Sequence, residues 1–262
     1  MMKLNSANIN VMEKACRKAS KILIRDFGEI EKLQVSVKGP GDFVTVSDKK
    51  AEKILIEELI KARPTYSILS EEAGEIKNDE EFKWIIDPID GTSNFLHGIP
   101  HFGISIGLEQ NKEIICGIIF DPIKNEVFVG EKGNGSYLNN QRMRVSSRSK
   151  LKDCIIFTGG PKYNSEDRDL AINEYKKFSS KAHTPIRKLG SAALDMAYVA
   201  AGRCDGFWQR NLSYWDVAAG IVLVKESGGF VTDFSGGNEY IQKKTILATN
   251  SKINNQMIEV LK

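Results

Sequence analysis

Apolar residues recur every three or four positions in several segments of the chain, which is the pattern of amphipathic helices. The N-terminal segment carries such a face at Ile9, Met12, Cys16, Ala19 and Leu23. A second face, at Ala51, Ile54, Leu55 and Leu59, follows an alternating apolar and polar stretch at 44–48 and is stopped by Pro64. Further helices are predicted near 166–178, over 191–201, from Asp216 onward and over 253–261.

The middle of the chain shows a different pattern. Short apolar segments at 102–108, 113–120 and 126–129 are typical of strands, as is a later one at 230–232. Gly133-Asn134-Gly135 and Asn139-Asn140 are hairpin signals that follow the third of these strands. This succession predicts an antiparallel meander.

The composition is that of a soluble enzyme. The 262 residues are 41% hydrophobic, enough for a substantial core, and their 37 basic and 34 acidic side chains are mixed along the chain. The net charge of +3 comes without a basic stripe, so we expect no direct binding to nucleic acid. No segment has the length and apolar character of a membrane span or a signal peptide, and the four cysteines are scattered, so we expect a cytoplasmic location with no membrane association.

The segment Trp84–Phe95, WIIDPIDGTSNF, is the strongest candidate for chemistry because an apolar run leads into two aspartates. Pro88 is expected to break the strand and let a turn gather Asp87 and Asp90. Two carboxylates held together repel each other unless a cation lies between them. Gly91-Thr92-Ser93 is able to open a helix, whose free N–H groups suit a phosphate. A turn without further function is the alternative.

A second segment lies far downstream, at Trp215-Asp216-Val217-Ala218-Ala219-Gly220, and continues to Gly228-Gly229. Asp216 is expected to open a helix that ends at the two glycines. Taken alone, Asp216 is explained by the helix dipole, which favours an acid near the N-terminus.

Together the two segments resemble the two signatures of the inositol monophosphatase family of metal-dependent phosphatases, the first of them from Trp84 to His97. The resemblance covers nearly the whole chain. It implies an α+β fold, a layered αβαβα sandwich with a mostly antiparallel central sheet and a second sheet, as a single domain over residues 1–262.

The resemblance also adds two upstream acids, Asp48 and Glu71, to the candidate site residues. Taken alone, Asp48 is explained as a helix cap and Glu71 as part of a solvated loop, but both fall on active-site acids of the family. The oxygen donors are then Asp48, Glu71, Asp87, Asp90 and Asp216, with the Ile89 carbonyl and the Thr92 hydroxyl. Sites built only from oxygen favour Mg²⁺, because Zn²⁺ usually recruits imidazole or thiolate; Mn²⁺ is the alternative.

The resemblance implies two or three Mg²⁺ ions. Glu71, Asp87 and the Ile89 carbonyl would hold the first, Asp87, Asp90 and Asp216 the second, and a weaker third would share Glu71. Thr92, oriented by Asp48, would position or deprotonate the attacking water. Asp90, Gly91 and Thr92 would contact the substrate, with the N–H groups of Gly91 and Thr92 holding the phosphate. Glu71, Thr92 and Asp48 are therefore the expected catalytic residues, and inhibition by lithium is expected.

The residues that would face the alcohol are also identified by resemblance. They are Gly190, Ser191 and Ala192, at a helix start, and Gln209, where the family commonly has a glutamate that accepts an inositol hydroxyl. An amide accepts the same bond without the assistance of charge. Inositol 1-phosphate is the leading substrate; 3′-phosphoadenosine 5′-phosphate, histidinol phosphate, fructose 1,6-bisphosphate and related polyol or sugar phosphates are the alternatives.

A function of another class is the rival prediction, because some bacterial members of the family bind the transcription machinery. An association with RNA polymerase is thus an expectation alongside catalysis. Five retained acids favour an active enzyme, since a scaffold has no physical need to hold repelling carboxylates together. The family further implies a homodimer.

Overall fold

The computed structural model describes residues 6–29, 35–39, 42–78, 81–160, 167–181 and 183–262. Its helices are α1 (Ala7–Phe27), α2 (Val46–Ala62), α3 (Thr92–Leu96), α4 (Arg168–Lys176), α5 (Ala192–Ala200), α6 (Tyr214–Glu226) and α7 (Asn254–Leu261). Its strands are β1 (Val35–Gly39), β2 (Asp42–Thr45), β3 (Ser67–Ser70), β4 (Gly74–Ile76), β5 (Phe82–Asp90), β6 (Gly103–Gln110), β7 (Glu113–Asp121), β8 (Glu126–Glu131), β9 (Gly135–Leu138), β10 (Gln141–Arg142), β11 (Ile156–Thr158), β12 (Ile186–Arg187), β13 (Gly206–Arg210), β14 (Phe230–Thr232) and β15 (Thr245–Thr249).

Most of these strands belong to two sheets. In the described part of the chain the larger has eight strands, in the order β10-β9-β8-β7-β6-β5-β3-β4, and among these only the β3–β5 pair is parallel. The smaller has five strands in the order β12-β11-β13-β15-β14, with β11 parallel to both of its neighbours. The predicted meander is confirmed as β6 to β10. Asn139 and Asn140 turn its last hairpin with φ angles of 45° and 68°, as a two-residue turn of this kind requires.

Three buried clusters define the layers. One packs α1 and α2 on a face of the larger sheet and includes Met12 and Trp84. The second fills the space between the sheets, where α5 and α6 meet both of them, and includes Leu223 and Phe207. The third packs α7 on the outer face of the smaller sheet and includes Met257. The α+β fold with αβαβα layers is thereby confirmed.

Glycines on three adjacent strands let α6 lie directly on the larger sheet. Gly107, Gly117 and Gly130 are register partners across β6, β7 and β8. A Cβ on Gly117 would lie 2.7 Å from the Cα of Ala219, and one on Gly130 would lie 3.0 Å from the Cα of Leu223. These close approaches set the depth of α6, and therefore the position of the acid in its first turn.

The predicted helices are confirmed with small shifts at their ends. All five residues of the predicted N-terminal face are buried in α1. In α2, Ala51, Leu55 and Leu59 are buried and Ile54 is half-buried. The polar helix predicted near 166–178 is α4 followed by a π-helical turn at Lys177–Lys181, while Glu166 lies outside the described residues.

The prediction that Pro88 breaks its strand is wrong, because β5 continues to Asp90. Asp87 pairs with Ser105 and Asp90 with Gly103, so three residue steps on β5 face two on β6. This β-bulge accommodates the proline, whose missing N–H would otherwise interrupt the ladder. The extra residue also brings both aspartates to the same side of the sheet, which regular alternation would prevent.

Candidate active site

Three aspartates converge where β5 ends and α6 begins. One carboxylate oxygen from each of Asp87, Asp90 and Asp216 lies within 4.8 Å of the other two. Asp216 is held by a capping box, because its Oδ2 accepts the Ser213 N–H at 2.7 Å while the Ser213 side chain accepts the Asp216 N–H. The helix therefore starts at Tyr214, two residues before the predicted start, since Ser213 caps it.

Burial and mutual repulsion dominate the electrostatics of these acids. Asp87 is 1% exposed, and burial raises its pKa well above the usual range, with further increases from the charges of Glu71, Asp90, Asp216 and Asp48. Burial raises the pKa of Asp90 to about 7, against the opposing effect of its hydrogen bonds, and the charge of Glu71 adds to the increase. Glu71 thus acts on both aspartates from outside the trio. A bound cation would relieve this repulsion.

Thr92 connects Asp48 to the bulge. Its Oγ1 lies 3.2 Å from Asp48 Oδ1 and 3.0 Å from the Ile89 carbonyl oxygen, within hydrogen-bond distance of both. The other Asp48 oxygen, Oδ2, accepts the Thr45 N–H at 2.8 Å and the Thr45 hydroxyl. Burial raises the pKa of Asp48 to about 6, even though the bonds from Thr45 oppose the increase. The capping box of α2 therefore fixes the carboxylate that orients Thr92.

Gly91 and Gly190 meet at the start of α3. Gly91 has a φ of 97°, and a Cβ there would lie 3.1 Å from the His101 carbonyl oxygen and 3.2 Å from that of Gly190. Asn94 Nδ2 donates to the carbonyl oxygens of His101 and Leu189, both at 2.7 Å. The Gly91 turn and the Gly190 turn are therefore held together by one side chain that the sequence patterns do not single out.

The start of α5 is bonded to Asp90. The Ser191 hydroxyl donates to Asp90 Oδ2 at 2.5 Å, and the Ala193 N–H donates to the same oxygen at 2.7 Å. Ser191 Oγ also caps α5 by accepting the Leu194 N–H at 3.3 Å. Gly190, Ser191 and Ala192 are predicted to face the alcohol. In the structure the Ser191 hydroxyl is instead bonded to Asp90, and the sequence does not reveal this contact.

Gln209 lies on β13 and packs against Gly159, where a Cβ would lie 2.1 Å from the Gln209 Oε1. It lines a cavity of about 210 Å³ together with Tyr175 and Lys188; among the described residues that line it, none is one of the five acids. Lys188 precedes Ser191 by three residues, so the Cα atoms of these two residues lie within about 11 Å of each other.

Glu52 is a buried acid that sequence reasoning misses. It is 5% exposed, and its Oε1 accepts the Ser70 hydroxyl, the Glu72 N–H at 2.9 Å and the Ala73 N–H at 3.2 Å. These three donors bracket Glu71. The available signal was its position four residues after Asp48, because residues at that spacing share a helix face.

The donor set suits a divalent cation with oxygen ligands. The trio contains neither histidine nor cysteine, and Glu71 adds a fourth carboxylate whose charge reaches Asp87 and Asp90. Mg²⁺ is typically held by a few carboxylates and keeps water molecules that a substrate phosphate replaces. Four neighbouring acids with two raised pKa values are the arrangement that such an ion would stabilise.

Known proteins resemble this chain over nearly its full length. The sequence model of the inositol monophosphatase family matches residues 5–262. A Rhizobium meliloti protein named inositol-1-monophosphatase is 48% identical over 257 residues, which cover 98% of this chain and 96% of that protein. A Pseudomonas aeruginosa protein named Nus factor SuhB is 39% identical over 249 residues, which cover 93% of this chain and 92% of that protein. The crystal structure of extragenic suppressor protein suhB from Bartonella henselae matches with a TM-score of 0.94 and 49% identity, covering 98% of this chain and 99% of that chain.

Proposed function

The chain belongs to the inositol monophosphatase family, and from this membership we propose that it is a magnesium-dependent phosphomonoesterase with inositol 1-phosphate as its leading substrate. The observation that carries the proposal is the convergence of Asp87, Asp90 and Asp216 within 4.8 Å. The 48% identity to a relative named inositol-1-monophosphatase supports the choice of substrate. The products would be the free alcohol and inorganic phosphate.

We assign the cation site to Glu71, Asp87, the Ile89 carbonyl, Asp90 and Asp216, with two or three Mg²⁺ ions and Mn²⁺ as the alternative. When bound, the cation supplies charge neutralisation for the phosphoryl oxygens and a lowered pKa for the attacking water. The repulsion between buried Asp87 and the half-buried acids around it supports this assignment, because protons or cations would relieve it.

Thr92 and Asp48 are assigned to the attacking water. With the Ile89 carbonyl assigned to the cation, the Thr92 hydroxyl would direct its hydrogen to Asp48 Oδ1 and would offer a lone pair that accepts a hydrogen bond from that water. A proton that moves from the water to Thr92 Oγ1 is matched by one that moves from Thr92 to Asp48 Oδ1. An Asp48 pKa of about 6 suits this carboxylate to accepting the proton near neutral pH.

The substrate contacts are assigned to both sides of the acids. The N–H groups of Gly91 and Thr92, at the start of α3, would bind the phosphate beside Asp90. Gly190, Ser191, Ala192 and Gln209 would face the alcohol. 3′-Phosphoadenosine 5′-phosphate, histidinol phosphate and fructose 1,6-bisphosphate are the alternative substrates for the same arrangement.

A phosphate-release screen over a panel of monoesters tests the proposal. The panel includes inositol 1-phosphate, the three alternatives and 4-nitrophenyl phosphate, each with Mg²⁺ and with EDTA. We expect release from inositol 1-phosphate to be the fastest and to require Mg²⁺. Equal release in EDTA would refute the metal dependence, and faster hydrolysis of another ester would replace the leading substrate. Asp87→Asn is the matched inactive control.

A role in transcription is a second candidate, favoured by the 39% identity to a relative named Nus factor SuhB. Pull-down with RNA polymerase, using wild type and Asp87→Asn, tests it. Capture of both proteins would support a function independent of catalysis, and capture of neither would refute it.

Three further assignments complete the proposal: a single domain over residues 1–262, a homodimer and a cytoplasmic location. The four cysteines are all buried free thiols, which supports a reducing compartment. None of the helices in the described residues is long and apolar enough to cross a bilayer. Analytical ultracentrifugation tests the homodimer directly.

A further inference from the structure

We propose that Glu52 is a positioning residue that fixes Glu71 relative to the aspartate trio. The inference rests on the proposed function, because Glu71 matters there as a cation ligand. Glu52 lies in the middle of α2, is 5% exposed, and directs Oε1 at the turn that follows β3. It has no assigned part in the reaction itself.

The bonds of Glu52 fall on both sides of Glu71. Ser70, which precedes Glu71, donates its hydroxyl to Glu52 Oε1, while Glu72 and Ala73, which follow, donate their N–H groups at 2.9 and 3.2 Å. On the opposite side, the Glu71 N–H donates to the Ile86 carbonyl oxygen at 3.3 Å. The turn is therefore held between α2 and β5, with Glu71 at its centre.

Loss of the Glu52 acceptor would leave these donors without their bonds. Ser70 is fully buried, so its hydroxyl would lose a partner that water does not replace, whereas the N–H groups of half-buried Glu72 and exposed Ala73 would turn to water. The turn would therefore relax toward solvent. Glu71 would then lose its fixed distance to the trio, although its own charge and side chain were unchanged. We therefore expect the loss of Glu52 to lower the affinity for the cation more than it lowers the stability of the fold.

The spacing of acids on α2 connects Glu52 to Asp48. Asp48 and Glu52 are one helical turn apart on one face, with about 5–6 Å expected between their Cβ atoms. Asp48 bonds to Thr92, and Glu52 bonds to the turn that carries Glu71. A single helix thus sets the separation between the residue that orients the attacking water and the residue assigned to the cation.

Two conservative variants separate the effect of the side-chain length of Glu52, here called its reach, from the effect of its charge. Glu52→Gln keeps the reach and an oxygen acceptor but removes the charge, whereas Glu52→Asp keeps the charge and shortens the side chain by one methylene. Positioning requires the reach, so Glu52→Asp should be impaired and Glu52→Gln should resemble wild type. Glu57→Asp and Glu57→Gln are the matched controls, because Glu57 is exposed on the same helix.

Calorimetric titration of each full-length variant with Mg²⁺ measures cation binding without substrate. We expect Glu52→Asp to weaken binding by about 10-fold to 100-fold, the range typical of residues that orient a metal ligand, and to raise the Mg²⁺ concentration for half-maximal activity equally. KM for inositol 1-phosphate at saturating Mg²⁺ should change less than about threefold, because Glu52 does not reach the substrate in this account. Glu52→Gln should stay within about threefold of wild type in both measurements.

Two outcomes would overturn the proposal. One is wild-type cation binding by Glu52→Asp, including the case in which its Tm falls, since that limits Glu52 to stability. The other is a greater loss in Glu52→Gln than in Glu52→Asp, since that makes charge the relevant property. A wild type that binds Mg²⁺ but hydrolyses no ester would refute the proposed function and leave this binding comparison intact.

Discussion

Replacing Asp90 by asparagine is expected to abolish turnover and, in the absence of metal, to stabilise the protein at neutral pH. The substitution is nearly isosteric. The Ser191 hydroxyl and the Ala193 N–H both donate to Asp90 Oδ2, and the amide oxygen of asparagine accepts both bonds. The amide nitrogen then replaces the other carboxylate oxygen and offers a cation neither a lone pair nor charge. We expect turnover to fall by more than about a hundredfold.

The stability change follows from the raised pKa. Burial raises the pKa of Asp90 to about 7, compared with about 3.9 for an exposed aspartate. Because the folded state binds this proton more tightly than the unfolded state, the stability contributed by the raised pKa is fully present below about pH 4 and is lost as pH rises through about 7. At about 1.4 kcal/mol for each pKa unit, the loss is at most about 4 kcal/mol. Partial exposure and coupled titration with Asp87 reduce the expected value to about 1–2 kcal/mol.

Thermal unfolding from pH 4 to pH 8 in EDTA measures this effect. At pH 8 the Tm of Asp90→Asn should exceed that of wild type by about 2–8 °C, and the two should converge near pH 4, where the wild-type carboxyl is protonated. Added Mg²⁺ should raise the Tm of wild type more than that of the variant. Asp153→Asn is the control, because it removes one exposed negative charge outside the acids.

Either of two results would contradict these expectations for Asp90. Near-normal turnover of Asp90→Asn at saturating Mg²⁺ would show that Asp90 is not a ligand that the reaction needs. A Tm difference that does not change between pH 4 and pH 8 would show that the carboxylate carries no penalty in the folded state.

Three further predictions concern the same site. Thr92→Val keeps the shape of the side chain but removes the hydroxyl that lies between Asp48 and Ile89, so kcat in steady-state assays should fall by about a hundredfold while Thr92→Ser retains most of it. Lithium should inhibit Mg²⁺-supported turnover uncompetitively, and unchanged initial rates at high lithium would contradict a shared cation site. Gln209→Glu should raise kcat/KM for inositol 1-phosphate severalfold relative to 4-nitrophenyl phosphate, because a charge-assisted bond exceeds a neutral one by about 1 kcal/mol. An unchanged ratio would remove Gln209 from the residues that determine specificity.

The sequence predicts individual elements better than their packing. α1 and the strands β6 to β8 follow from apolar periodicity, because a buried face leaves that signal in any single element. The layers follow only from the family resemblance, since they depend on contacts between distant segments. Gly107, Gly117 and Gly130 show why: their partners on α6 lie about a hundred residues downstream, and periodicity carries no information about that distance.

In the candidate site, too, the sequence predicts local features better than the contacts between distant segments. Asp87 and Asp90 are evident from the motif, but the bulge that brings them together is not, because proline locally favours a break. Glu52 is missed because an acid on a helix is usually solvated, and only the donors of the β3–β4 turn reveal that it is buried. The bond from Ser191 to Asp90 joins residues 101 positions apart.

Hydrolysis is expected to depend on a cation held by the carboxylate cluster. The most direct test of this dependence is a Mg²⁺ titration of EDTA-stripped wild type and Asp87→Asn, with phosphate release from inositol 1-phosphate as the readout. We expect no release from stripped wild type, saturable activation as Mg²⁺ is added, and no activation of the variant at any concentration. Release by stripped wild type in excess EDTA, or full activation of Asp87→Asn, would contradict this expectation.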